Sequence, residues 1–253
     1  MSRPARVLAL ANQKGGVAKT TTTLNLGVAL HDLGARVLAI DLDPQSNLSM
    51  SQGVDVETLG IGMYHVLTGS AALSEIIETR EIDIAPAGIE LAGAELALSS
   101  MIGRERALER ALRPVRDLYD YILIDCPPSL GLLTLNTLTA ADSVLIPIQC
   151  EYYALEGLGK LLNTVRLVQK HLNPRLQVEG VLLTMYDARL NLSRQVADEA
   201  KEYCGGRMFR AVVPRNGRLA EAPSFGKPIL MYDIGSVGAQ TYLNVAQELI
   251  ART

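Results

Sequence analysis

Gln13-Lys14-Gly15-Gly16-Val17-Ala18-Lys19-Thr20-Thr21 joins an apolar run, Arg6 to Ala11, to a segment of helical spacing, Thr20 to Leu33. A glycine-rich turn between a strand and a helix is the context in which backbone N–H groups and a helix amino terminus converge on phosphate oxygens. In that arrangement Lys19 reaches the terminal phosphates, and the Thr20 hydroxyl is placed to hold Mg²⁺. Lys-Thr after a double-glycine turn serves no packing need, so a plain connecting turn is the poorer account.

Six further runs carry the strand signature: Arg36 to Asp41, Ile82 to Pro86, Tyr121 to Asp125, Ser143 to Ile148, Val178 to Thr184 and Met208 to Val213. They are mostly apolar without alternation, as strands buried on both faces are. Helical patterns lie between them, the longest from Ala154 to Leu172 with Asn173-Pro174 as its stop. The alternation predicts an α/β fold, a doubly wound and mostly parallel sheet with helices on both faces. Gly34 suits the left-handed position after the first helix. With 253 residues, 48% of them hydrophobic, residues 1–253 are expected to form a single domain. Met50 to Arg80 shows no period, and Arg104, Arg106, Arg110, Arg113 and Arg116, interleaved with Glu105 and Glu109, read as the solvent face of a helix.

Composition excludes several classes. Three scattered cysteines suggest neither a disulfide framework nor a metal site. No apolar stretch approaches the roughly 20 residues of a membrane span. Met1 to Asn12 lacks the features of a signal peptide, so a cytoplasmic protein is expected. A net charge of -3 argues against coating nucleic acid through the overall field, and the absence of Trp against a base-stacking platform. His31, His65 and His171 lack ligand spacing.

Two acidic segments close predicted strands, where open parallel sheets place their ligands. Asp41-Leu42-Asp43-Pro44-Gln45-Ser46-Asn47 follows the second, and Asp125-Cys126-Pro127-Pro128-Ser129 follows Tyr121-Ile122-Leu123-Ile124. An apolar strand ending in a carboxylate downstream of a phosphate loop is suited to holding Mg²⁺, here through Asp125. Cys126 reads as a small buried thiol.

With Lys14 ahead of Lys19, the loop resembles the deviant Walker A motif of the ParA, MinD and nitrogenase iron protein superfamily. The Asp41 and Asp125 segments resemble its two switches. Gln149 to Gly157, Leu183 to Arg189 and Val213 to Ser224 resemble the ParA/Soj branch in particular, so the likeness spans nearly the whole chain. It implies a SIMIBI-type P-loop ATPase of slow intrinsic turnover, with ATP and Mg²⁺ as cofactors. It also implies an ATP-bound sandwich homodimer that binds double-stranded DNA non-specifically on the nucleoid, stimulated by a ParB/Spo0J-like centromere-binding partner, with no membrane.

On that resemblance Lys14, Gly15, Gly16, Val17, Ala18, Lys19, Thr20 and Thr21 bind the nucleotide, with its adenine against Met185, Pro214 and Asn216. Lys14 crosses to the partner's nucleotide and acts in catalysis with Lys19 and with Asp43, which positions the attacking water. Asp41 joins Thr20 and Asp125 near the magnesium, and Arg189 and Arg218 contact DNA. The segment from Asp187 to Arg218 supports such a patch with seven basic against four acidic residues. Ala18 and Ser46 depart from the family pattern, which has Gly at both. Two alternatives share the fold. A MinD-like positioning ATPase needs a basic amphipathic tail, where Ala239 to Thr253 offers Arg252 alone. A small-molecule kinase or ligase would couple hydrolysis to an acceptor molecule.

Overall fold

The computed structural model describes residues 4–151 and 154–252. Tyr152 and Tyr153, part of the block from Gln149 to Gly157, lie outside the described residues. Seven strands form one sheet: β1 (Arg6–Leu10), β2 (Val37–Asp41), β3 (Glu78–Thr79), β4 (Asp83–Ala85), β5 (Tyr121–Asp125), β6 (Ser143–Gln149) and β7 (Gln177–Thr184). Their order is β3-β4-β2-β5-β1-β6-β7, parallel except for the antiparallel edge pair β3 and β4. The doubly wound, mostly parallel sheet expected from the sequence is present.

Each strand except β3 feeds two cores. Val7 and Ala9 of β1 enter the core on one face, and Leu8 and Leu10 enter the other. The second face is covered by the helices Lys19–Asp32 and Val237–Ala251, whose Thr22 and Tyr242 hydroxyls meet at 3.1 Å in the interior. The first is covered by residues such as Leu108, Leu138, Leu161 and Val196 from four other helices. Burial on both sides is why the strands carry no polar alternation.

Three expectations are corrected. Met208 to Val213 is not a strand: the segment from Met208 to Pro214 meets β7 and the loop after it only at isolated bridges, Val181 with Met208 and Tyr186 with Pro214. Its backbone bonds to β7 are scattered, from the Phe209 N–H to the Val181 carbonyl and from the Val213 N–H to the Leu183 carbonyl, both at 2.9 Å, and the last helix supplies more, since the Glu248 carboxylate accepts from the N–H groups of Arg210 at 2.9 Å and Ala211 at 3.1 Å. Arg252 donates to the Met208 carbonyl at 2.6 Å. Gly180 permits this close crossing, because a Cβ there would lie 2.6 Å from the Arg207 carbonyl oxygen.

The arginine-rich segment is not one helix. Arg104–Arg106 and Arg116–Leu118 are 3-10 turns flanking the short helix Ala107–Leu112, with Pro114 in the break. Arg116 also leaves the solvent face, donating to the Ala5 carbonyl at 3.1 Å and to Asp142 at 2.5 Å. Finally, β3 and the helices Met63–Thr68 and Leu73–Ile76 occupy the stretch that has no sequence period. Each is too short to show one.

Candidate active site

The phosphate loop leaves β1 at the centre of the sheet, between β5 and β6, and runs into the helix Lys19–Asp32. Gly15, Gly16, Ala18, Lys19, Thr20 and Thr21 line a cavity of about 340 Å³ at this helix's amino terminus. Backbone donors left unpaired by the helix point there. Ala18 adopts φ 63 and ψ 35, a left-handed conformation, and its carbonyl accepts the first helical hydrogen bond from Thr22 at 2.9 Å. Val17 does not face the cavity: its side chain is buried, and its carbonyl accepts the Thr184 hydroxyl at 3.1 Å.

Lys19 is buried, with Nζ donating to the Lys14 carbonyl at 3.3 Å. Burial lowers its pKa, while Asp125, Cys126 and Asp43 act against the shift. Lys14 behaves differently. Its side chain does not line the cavity but forms an ion pair with Glu151, and it is 39% exposed.

The sheet register sets Asp41 of β2 directly beside Asp125 of β5. Both are fully buried. Burial, followed by the neighbouring Asp41, pushes Asp125 up to about 8, and burial pushes Asp41 up to about 6. The Thr20 hydroxyl donates to Asp125 at 2.6 Å, so the two hard oxygen donors suited to Mg²⁺ face each other across the loop. Asp41 is engaged elsewhere. It accepts from the Ser49 hydroxyl at 2.7 Å, the Ser49 N–H at 2.8 Å and the Asp43 N–H at 3.2 Å, and it does not line the cavity. Its position is that of a carboxylate bracing the Asp43 loop. Among the described residues no group of three or more His, Cys, Asp or Glu is placed to hold a metal alone. Phosphate oxygens and water would have to complete the shell.

Asp43 lines the cavity opposite the phosphate loop, its Oδ1 accepting the Gln45 N–H at 3.0 Å. Ser46 follows with φ 55. Both positions at which the family carries glycine are therefore left-handed here, and a methyl or hydroxymethyl group costs about 1 kcal/mol in that conformation. Replacing Ala18 by Gly is expected to leave ATP binding equal or tighter by up to about 1 kcal/mol, as strain is relieved. Calorimetric titration checks it, and a clear loss of affinity would show that the loop has adapted to alanine.

A second cavity of about 300 Å³ adjoins the first through Ala18, Thr21 and Met185. Met185, Pro214 and Asn216 all line it. Met185 is the third non-glycine residue of positive φ, at 51°. The Asn216 Oδ1 caps the helix Gly217–Glu221 by accepting the Arg218 N–H at 2.8 Å. The structure also brings to the first cavity Asn25, Gln45, Asn47, Ser51 and Lys227, which sequence reasoning missed. Asn25, one turn after Thr21 on the same helix face, had a signal, as did Gln45 and Asn47 within the segment that closes β2. Lys227 comes from a distant loop. Cys126 is buried and its thiol is pushed up to about 12 by that burial, which leaves it unreactive.

A family model described as an AAA domain matches residues 5–178. The chain is 55% identical to the sporulation initiation inhibitor protein Soj of Bacillus subtilis, across 97% of this chain and 98% of that protein. It is 49% identical to the chromosome partitioning protein ParA of Myxococcus xanthus, across 98% of this chain and 88% of the other. A solved structure described as cobyrinic acid a,c-diamide synthase from Mycobacterium smegmatis, with bound ADP and magnesium, is 42% identical with a TM-score of 0.86. It covers 97% of this chain and 94% of its own.

Proposed function

The chain belongs to the Soj/ParA family of chromosome-partitioning ATPases, and from that premise we propose that ATP joins two copies face to face into a DNA-binding dimer. The dimer holds double-stranded DNA without sequence preference, and hydrolysis returns monomers. A ParB/Spo0J-like centromere-binding partner stimulates that hydrolysis. ATP and Mg²⁺ are the cofactors, as ADP and magnesium are the ligands of the Mycobacterium smegmatis structure. The protein acts as one ATPase domain, cytoplasmic and nucleoid-associated.

Lys14 carries this proposal. Lys19 alone of the two loop lysines lines the cavity, while Lys14 stands outside it on an exposed ion pair with Glu151. An exposed pair contributes about 0 to 1 kcal/mol, so Lys14 exchanges Glu151 for a phosphate on a second subunit at little cost. Thr20 and Asp125 would hold the magnesium, which neutralises phosphate charge as it develops. Lys19 binds the terminal phosphates. Asp43, facing them, orients the attacking water and accepts its proton.

Arg189 and Arg218 supply the DNA face, at the end of the segment after β7. A membrane role is disfavoured by the last helix, Val237–Ala251, which spends its apolar side on the core through Tyr242, Val245 and Leu249. No helix among the described residues is long and apolar enough to cross a membrane. The description of the Mycobacterium smegmatis protein favours a second possibility, a small-molecule amide-forming ligase.

Sedimentation with and without ATP and a random-sequence DNA duplex separates them. A partitioning ATPase shifts to a dimer with ATP and then co-sediments with DNA, and Arg189→Ala with Arg218→Ala removes the DNA step alone. A monomer that ignores DNA moves the assignment to the ligase.

A further inference from the structure

We propose that Asp187, helped by Glu221 and Asp233, holds down the DNA affinity of a single subunit, so that DNA binding follows assembly. This rests on the proposal above that Arg189 and Arg218 meet DNA phosphates.

Both arginines already have carboxylate partners. Asp187, just past β7, accepts from Arg189 Nε at 2.9 Å, from its second guanidinium nitrogen at 2.7 Å and from its backbone N–H at 3.0 Å. The side chains differ sharply in exposure, 14% for Asp187 against 88% for Arg189. The carboxylate therefore lies beneath the guanidinium, held there also by the Arg189 backbone N–H, which a phosphate arriving at the side chain does not displace. Arg189 in turn keeps the Asp187 carboxyl down to about 2, so it stays charged in any working buffer. Arg218 is placed similarly, 3.3 Å from Glu221 and 3.6 Å from Asp233.

As structural ion pairs these exposed contacts contribute little. Their consequence for DNA is larger. A phosphate that reaches Arg189 meets a cation already half satisfied, with a fixed negative charge behind it that repels the newcomer. One subunit thus presents nearly neutralised arginines, and only two copies on one surface gather enough phosphate contacts to bind.

Asp187→Asn isolates the charge, since the amide oxygen still accepts the Arg189 N–H that closes the turn. The experiment titrates a random-sequence duplex at several salt concentrations, with and without ATP, using wild type, D187N, R189A, D187N/R189A and D233N. D198N serves as the control for net charge, Asp198 being 79% exposed on the helix Asn191–Cys204. With ATP at low salt, D187N is expected to tighten binding about tenfold and to steepen the logarithmic salt slope by about one per subunit. It also gives detectable binding without ATP. The gain disappears in the R189A background, and D233N repeats the effect through Arg218. A gain that persists without Arg189, or that D198N matches, reduces the effect to net charge and overturns the proposal. No gain in D187N or D233N while wild type binds DNA overturns it and leaves the partitioning assignment standing. If neither wild type nor D187N binds DNA with ATP, the assignment falls and the proposal with it.

Discussion

Lys19→Ala is expected to lower ATP affinity by at least about 100-fold. A charge-assisted hydrogen bond to phosphate contributes about 1.5 to 3 kcal/mol, which alone spans roughly 10-fold to 150-fold. Here the loss is compounded by what remains. Asp125 and Asp43 are close enough to act on the charge of the Lys19 ammonium, and once it is gone it no longer offsets theirs. Calorimetric titration with ATP and Mg²⁺ measures the loss, and the thermal melt of the nucleotide-free variant shows that the sheet is intact. Affinity within threefold of wild type would remove Lys19, and with it the phosphate-loop assignment.

Asp43→Asn is expected to bind ATP normally and to hydrolyse it about 10² to 10⁴ times more slowly, the usual contribution of a positioned general base. Asparagine is the informative replacement, because the Oδ1 of Asp43 also holds the Gln45 N–H, and alanine would free the loop as well as remove the base. Binding survives because Asp43, although it lines the cavity, offers the phosphates no donor. The ATP-bound dimer should accordingly persist in sedimentation long after wild type has returned to monomer. Turnover equal to wild type would exclude Asp43 from the chemistry.

Much of the site was legible because its residues follow one another along the chain. The loop from Gln13 to Thr21, the carboxylates closing β2 and β5, and Met185 all stand at or just past strand ends, where apolar runs stop, and Pro214 follows an apolar run that is not a strand. Asp41 was harder to place. Its neighbour in sequence is the loop, but its partner is Ser49, eight residues on, whose hydroxyl also accepts the N–H of Ala87. Nothing local announces a side chain that links three segments. Lys227 escaped notice for the same reason, arriving from a loop that folds back over the amino end of the first helix.

The sequence by itself determined the fold class and six of the seven strands, because burial on both faces of a parallel sheet demands uninterrupted apolar runs that no other architecture produces in this alternation. It also singled out the loop from Gln13 to Thr21, most of which lines the cavity at the first helix's amino terminus. Only the tertiary structure decided that Met208 to Val213 divides its backbone hydrogen bonds between β7 and the side chains of Glu248 and Arg252 and so forms no regular strand, since an apolar run reads the same in either case. Only it decided that Ala18 and Ser46 keep the left-handed conformation of the glycines they replace. And only it decided that Lys14 and Arg189 each rest on a carboxylate in the single chain, because an ion pair is made by distance in space, which the order of residues does not record.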